Sequence, residues 1–422
     1  MLYASEKCCA HGVAQIGSFG LMLAGAAVRD VARAHSHAYG TGDRIAKLIP
    51  LGSQGFPMTI ERAMELEEEL QTMYREDDDV REIIDLAKRI EGCVRHTGVH
   101  AAGVVIAPTP LSEWTALQTD PKTGKLITQY DMHSIEEAGL LKFDFLGIKN
   151  LAVLADAVAR VKETRGVSID IENVPIDDPD TFAMLARGET EGLFQLNGSG
   201  MTRYLKELRP TTIHDINAMV ALYRPGPMET IPQYIERKRN PKLVRFLDER
   251  MKEYLGASYG LLVYQDDVLL TAITLGGYSW LEADALRKAM GKKIPEEMEA
   301  QKEKLIKGFI EYGHITRDTA ETLWKLIEPF AAYGFNKAHA ASYGKVAYQT
   351  GYMKAHYPVD YMAALLTADA GDTEKIAILV AECERLRIPV LPPDVNESGS
   401  TFTVVGEQKD AIRFGLSSIK NF

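Results

Sequence analysis

Apolar positions recur at helical spacing along most of the chain and alternate with polar ones in only a few short stretches. Leu21 to Ala34 sets Val28, Val31 and Ala32 against Arg29 and Arg33 and predicts a helix. Asp79–Gly92, with Val80, Ile83, Ile84, Ala87 and Ile90 apolar, predicts a second. Further helices are expected after a cap at Asn150, over Ile213–Leu222, over Ala283–Lys293, and from a cap at Asn336 to His356. Period-two stretches mark strands at Val104–Ile106, Lys125–Tyr130 and Leu140–Leu146, and Tyr259–Val263 reads as another short strand. Asp120-Pro121-Lys122-Thr123-Gly124 is a turn before the second of these. Val13–Phe19 leads into a loop, and Val94–Gly103 reads as a glycine-bearing loop entering Val104. The pattern predicts an α+β protein, mostly helical, with a small mixed or antiparallel sheet.

At 422 residues the chain is long enough for two or three domains, each with a core of its own. No apolar run approaches the roughly 20 residues of a membrane span and no targeting pattern opens the chain, so a cytoplasmic location is expected. Cys8, Cys9, Cys93 and Cys383 lack zinc-ligand spacing and read as reduced thiols. The net charge of −11 argues against a general polyanion-binding surface. Basic residues nevertheless cluster locally, at Arg237-Lys238-Arg239 with Lys242 and Arg245, and at Arg287, Lys288, Lys292 and Lys293, while acids crowd into Glu61–Asp79. Such tracts suit a channel that meets a polyanion, and they suit solvated helix faces equally.

The chemistry centres on Leu140-Leu141-Lys142-Phe143-Asp144-Phe145-Leu146-Gly147. As a strand, this run puts Lys142 and Asp144 on one face about 6.6 Å apart, opposite Leu141, Phe143 and Phe145. A fixed carboxylate beside a fixed ammonium suits a divalent metal with a polyphosphate, and a cross-strand ion pair would show the same spacing. Asp131 reads as a turn or support residue. His96 and His100 have the spacing of a zinc helix, but Gly98 and Gly103 break a helix there. Arg224 leaves a helix at a Pro-Gly-Pro stop, either to hold a phosphate or as a helix C-terminal cation. Lys337 sits at a helix mouth that favours anions, and His339 shares a face with Tyr343. Neither a dinucleotide fingerprint nor a Walker loop is present.

The run Lys142–Gly147 resembles the palm segment of the bacterial DNA polymerase III alpha subunit, the C family of replicative DNA polymerases. Gly192–Leu196 with Gly200-Met201, Tyr223–Pro227, Leu286–Lys293, Tyr333–Tyr343 and Leu391–Asn396 are similar to blocks of the same family and follow its order. Asn197, Gly198 and Ser199 depart from it, standing where an acidic, a small and a basic residue are usual. The resemblance implies a nucleotidyltransferase palm like that of polymerase beta over 1–20 and 99–160, a helical thumb over 21–98, and large helical fingers over 161–422. It implies template-directed DNA synthesis with two Mg²⁺ ions. Asp144 would be a metal ligand and Lys142 would neutralise phosphate charge. Arg287 and Lys288 would orient the triphosphate, Lys288 standing where the family usually has arginine. Arg224, Lys337 and His339 would complete the nucleotide site, and Arg29, Arg33, Lys292 and Lys293 would touch DNA. Primer–template DNA and dNTP are the implied substrates, with a sliding clamp and a proofreading exonuclease as partners.

In the family two further metal carboxylates come from a Pro-Asp-x-Asp-x-Asp-Phe run, and no such run occurs in this chain. The chain therefore reads as an internal piece, expected to be inactive alone. Two other readings remain at this point. One is a DNA- and dNTP-binding remnant or split-gene product; the other is a metal-dependent hydrolase built on His96, His100 and Asp144.

Overall fold

The computed structural model describes residues 2–8, 11–50, 52, 57–292, 295–328 and 334–419. It is an α+β, mostly helical fold divided into two compact units, Met1–Gly147 and Ile148–Phe422.

The first unit is built on a five-stranded sheet of order β3-β4-β1-β2-β5. The strands are β1 (Val13–Leu21), β2 (Val94–Ile106), β3 (Leu117–Thr119), β4 (Leu126–Thr128) and β5 (Lys142–Asp144). β1 and β2 pair antiparallel from Val13↔Ile106 to Leu21↔Val94, and β5 lies antiparallel on the far side of β2. Ala14, Ile16, Val105, Leu111, Ile135 and Leu140 form the core beneath the sheet. Between β1 and β2 the chain makes helices Ala24–Ala34, Tyr39–Leu48, Ile60–Leu66, Glu68–Glu76 and Asp78–Ile90 around a separate apolar core.

Two segments not predicted as strands belong to strands. Val13–Phe19 is most of β1, and Val94–Gly103 is the first part of β2. Glycines disguised both, and close approach explains two of them. A side chain on Gly17 would sit 2.2 Å from the Thr128 carbonyl oxygen, and one on Gly20 would meet the His96 ring. Leu21 belongs to β1, so the following helix begins at Ala24. The next predicted helix starts one residue early, at Asp78, because Asp77 caps it by accepting from the backbone N–H groups of Asp79 and Val80. The last two predicted strands of the sheet are shorter than expected, Leu126–Thr128 and Lys142–Asp144.

The second unit packs its helices around two apolar cores. The helix Lys337–His356 runs through the larger and crosses Ile213–Leu222 closely at Gly344, where any side chain would overlap Asn217. Leu286, Ala289 and Met290 are buried on the helix Trp280–Lys292, as their spacing predicted. Near the carboxyl end, β6 (Val390–Leu391), β7 (Thr403–Val405) and β8 (Ala411–Arg413) form a three-stranded sheet of order β6-β8-β7.

The helix Lys149–Arg165 straddles the boundary expected at 160 and lies wholly in the second unit. It packs on Pro358–Ala368, where buried Asp360 accepts from Thr164 and Arg165. Ile148, not Asn150, occupies its N-cap position. Tyr259–Val263 is not a strand. Tyr259 takes a left-handed φ of 56°, and only Tyr264 makes an isolated bridge, to Phe335. Among the described residues no helix is long and apolar enough to cross a membrane.

Candidate metal and nucleotide site

β5 is the edge strand of its sheet, and its register places Asp144 opposite Gly103. Glycine there leaves no partner-strand side chain to crowd the carboxylate. Lys142 Nζ donates to both Asp144 oxygens, at 3.0 and 3.3 Å. The Lys142 side chain is 19% exposed and that of Asp144 52%, so the carboxylate stands in solvent with one cation beside it. Leu141, Phe143 and Phe145, on the opposite face, are exposed as well. Asp144 alone is a hard oxygen ligand, and among the described residues no group of three metal-ligating side chains includes it.

The neighbouring candidates in this unit do other work. Asp131 caps the helix Met132–Glu137 by accepting from His133 and Ser134, and those backbone N–H groups hold its carboxyl below the usual range. His96 and His100 both lie in β2, where four residues of strand span about 13 Å, so they cannot share one ion. His100 Nδ1 instead accepts from the backbone N–H groups of Ala102 and Gly103, at 3.2 and 2.7 Å. Arg29 is paired with Asp43 at 3.0 Å and Arg33 with Asp30 at 2.7 Å, both at the surface.

In the second unit two predicted residues meet at Phe335. The Arg224 guanidinium lies 4.4 Å above its ring, and the His339 ring meets it edge-on at 5.2 Å. Arg224 Nε also donates to the Ala221 carbonyl, as a helix C-terminal cation does, and burial lowers its pKa. His339 is exposed and its ring meets that of Tyr343 at a tilt of 36°, centroids 4.0 Å apart. Asn336 caps the helix, accepting from His339 N–H at 2.8 Å. The helix mouth at Lys337 holds an anion of the protein's own: the Lys337 backbone N–H donates to Asp266 at 2.8 Å, while its Nζ lies 5.6 Å over the Tyr264 ring.

Arg287 and Lys288 both pair with Asp284, at 2.7 and 2.9 Å. These hydrogen bonds, Lys288's first, hold the Asp284 carboxyl below its usual range. The Lys292 side chain and Lys293 lie outside the described residues. Sequence reasoning missed three contributors here: Asp266, Asp284 and the Phe335 platform. Asp284 was readable, lying three and four residues before the cations it binds. Asp266 comes from a distant segment and left no local signal, whereas Phe335 is four residues before His339 and distant only from Arg224.

Comparison with known proteins bears on both units. The family model described as bacterial DNA polymerase III alpha NTPase domain matches residues 1–147, and that described as bacterial DNA polymerase III alpha subunit finger domain matches residues 150–313. DNA polymerase III subunit alpha of Thermus aquaticus is 45% identical over 99% of this chain and 34% of its own length. The chain belongs to the bacterial DNA polymerase III alpha subunit family. The Escherichia coli K12 subunit alpha is 41% identical over 97% of this chain, and the Mycobacterium tuberculosis H37Rv subunit alpha 41% identical over 99%. The chain spans about a third of the length of these DNA polymerase III alpha subunits, 34 to 36%. A helix-hairpin-helix motif model also matches residues 387–422. The described residues there form β6, β7, β8 and a 3-10 turn, so that match carries no DNA-binding argument for this segment.

Proposed function

We propose that this chain contributes part of the active site of a template-directed DNA polymerase, with Asp144 as one of its metal anchors. The exposed carboxylate on an edge strand, with Lys142 at 3.0 Å, is the observation that carries the reading. Family membership supports it. Asp144 suits Mg²⁺, which binds few carboxylates and keeps several waters, so further ligands would come from phosphates, water and other parts of a full-length polymerase. Mg²⁺ bound there would stabilise charge on the attacking and leaving oxygens of the transferred phosphoryl group.

The chain's own residues do the rest. Lys142 sits where it can release Asp144 to the ion and turn its ammonium to a phosphate oxygen. Arg287 and Lys288 would exchange Asp284 for the triphosphate, which is open to them because exposed ion pairs are worth only about 0–1 kcal/mol. Lys337, whose ammonium lies over the Tyr264 ring, would turn that ammonium to the triphosphate. Arg224 and His339, held against Phe335, would flank the nucleotide. Arg29 and Arg33 would leave Asp43 and Asp30 for the duplex backbone, in a thumb made of the helices between β1 and β2. Residues 1–20 and 99–160 would form the palm and residues 161–422 the fingers. Primer–template DNA and dNTP are the substrates of this reading, with a sliding clamp and a proofreading exonuclease as partners of the full-length polymerase.

The test is Asp144→Asn in the full-length polymerase, assayed by single-turnover primer extension. A loss of 100-fold or more, about 3 kcal/mol of transition-state stabilisation, is expected with unchanged thermal stability. Activity within about threefold of the parent would overturn the assignment.

A further inference from the structure

A second constellation lies in the fingers-side unit, among residues the polymerase reading does not use. The start of the helix Pro179–Arg187 and the end of Lys337–His356 bring Asp178, Asp180 and His356 together, each offering a ligand atom within 4.8 Å of the others. His356 Nε2 lies 2.9 Å from Asp178 Oδ2. That oxygen also accepts from the Thr181 N–H and hydroxyl, at 2.8 and 2.7 Å, as the helix cap. The hydrogen bonds to Asp178 thus converge on Oδ2 and leave Oδ1 for another partner. Asp178 is largely buried, its side chain 13% exposed, whereas Asp180 stands in solvent.

The charge at this point is unbalanced. The basic group bonded to Asp178 is His356, ordinarily neutral at pH 7, while Arg187 at the far end of the same helix is paired with Glu189 at 2.7 Å. The imidazole is braced by the Tyr352 ring at 4.4 Å and faces the Tyr357 ring at 6.4 Å, so its direction is set by packing. Bonds of about 2.0–2.2 Å to nitrogen and oxygen place the ligands of one tetrahedral ion roughly 3.3 Å apart. The His356–Asp178 pair lies at 2.9 Å and no pair of the three exceeds 4.8 Å, so small side-chain shifts reach that separation. One imidazole nitrogen with two carboxylates favours zinc-like ions over Mg²⁺, which prefers an all-oxygen shell.

We propose that Asp178, Asp180 and His356 form a divalent transition-metal site of the Zn²⁺ class, independent of Asp144. It would clamp the amino end of one helix to the carboxyl end of another and keep its remaining positions for water. The clamped helix is the one that carries Lys337 and His339 at its opposite end.

Zn²⁺ alone is the probe, added to the metal-stripped, tag-free chain and read by equilibrium dialysis and thermal melting. One Zn²⁺ per chain that raises Tm is expected, with binding at least tenfold weaker and the Tm rise abolished in Asp180→Asn and in His356→Gln. Asp180 is solvent-facing and not the cap residue, so its variant keeps the fold. Asp144→Asn should retain the site. Zn²⁺ affinity and Tm response unchanged in Asp180→Asn would overturn the proposal, as would sensitivity to His356 alone, which would reduce the cluster to an Asp–His cap pair.

Discussion

Two lysine–carboxylate pairs of similar geometry have opposite surroundings. Lys142 and Asp144 meet at 3.0 Å on an edge strand, whereas Lys354 and Glu382 meet at 2.6 Å with side chains 0% and 8% exposed. Lys354 also donates to the carbonyls of Glu189 and Glu191, at 3.0 and 2.7 Å, so its donors are all engaged by protein. Burial lowers the Lys354 pKa. Burial also pulls Glu382 upward, but Arg385 and Lys354 outweigh it and leave that carboxyl below its usual range. The buried lysine fastens the turn leading into Gly192–Leu196 to the helix Lys337–His356. The exposed pair fastens nothing beyond itself. Similar side chains at similar distances therefore do different jobs, and solvent decides which: a buried charge is committed to the fold, and a solvated one is available to a ligand.

Removing one partner of the buried pair should have the largest effect. Lys354→Ala is expected to destabilise the second unit by about 3–5 kcal/mol in urea denaturation, because Glu382 is left buried with fewer donors. A loss under about 1 kcal/mol would erase the contrast. Next comes a buried carboxylate that has no cation bonded to it. Asp267 accepts from the Val263 and Tyr264 N–H groups through one oxygen, while its other oxygen is buried with no hydrogen-bond partner, and burial raises its pKa to about 6. A raised folded-state pKa means that protonated Asp267 stabilises the fold in acid and that this contribution is lost as pH rises through about 6. Between pH of about 4.5 and 7, wild type should lose about 2 kcal/mol more than Asp267→Asn, measured by denaturation across pH. Parallel pH profiles would show that the carboxyl is solvated. Lys142→Ala is the smallest expected effect on folding, under about 1 kcal/mol in the same denaturation experiment, and a cost equal to that of Lys354→Ala would make the exposed pair structural.

Much of the fold was legible because helical spacing is a local property. Ile213–Leu222 and the turn at Asp120 formed as predicted, the latter closed by Thr123 donating to Asp120. β1 and the first part of β2 were not legible. Gly98 and Gly103 read as loop residues, and only the sheet shows why Gly17 and Gly20 are small. Asp144 stood out by its neighbours in sequence. The balance of charge around the other candidates did not, because Asp43 reaches Arg29 from the next helix and Asp266 reaches Lys337 from a segment 71 positions away. The Asp178, Asp180 and His356 cluster was invisible for the same reason, its histidine lying 178 positions from Asp178.

The central claim is that the side chain at 144 binds metal directly, and a ligand swap tests it. Asp144→Cys in the full-length polymerase replaces a hard oxygen with a soft sulfur, so extension should collapse with Mg²⁺ and recover at least tenfold with Mn²⁺ or Cd²⁺ relative to the same metals on wild type. Equal loss with every metal, in a variant that melts like the parent, would contradict a metal bond at that position.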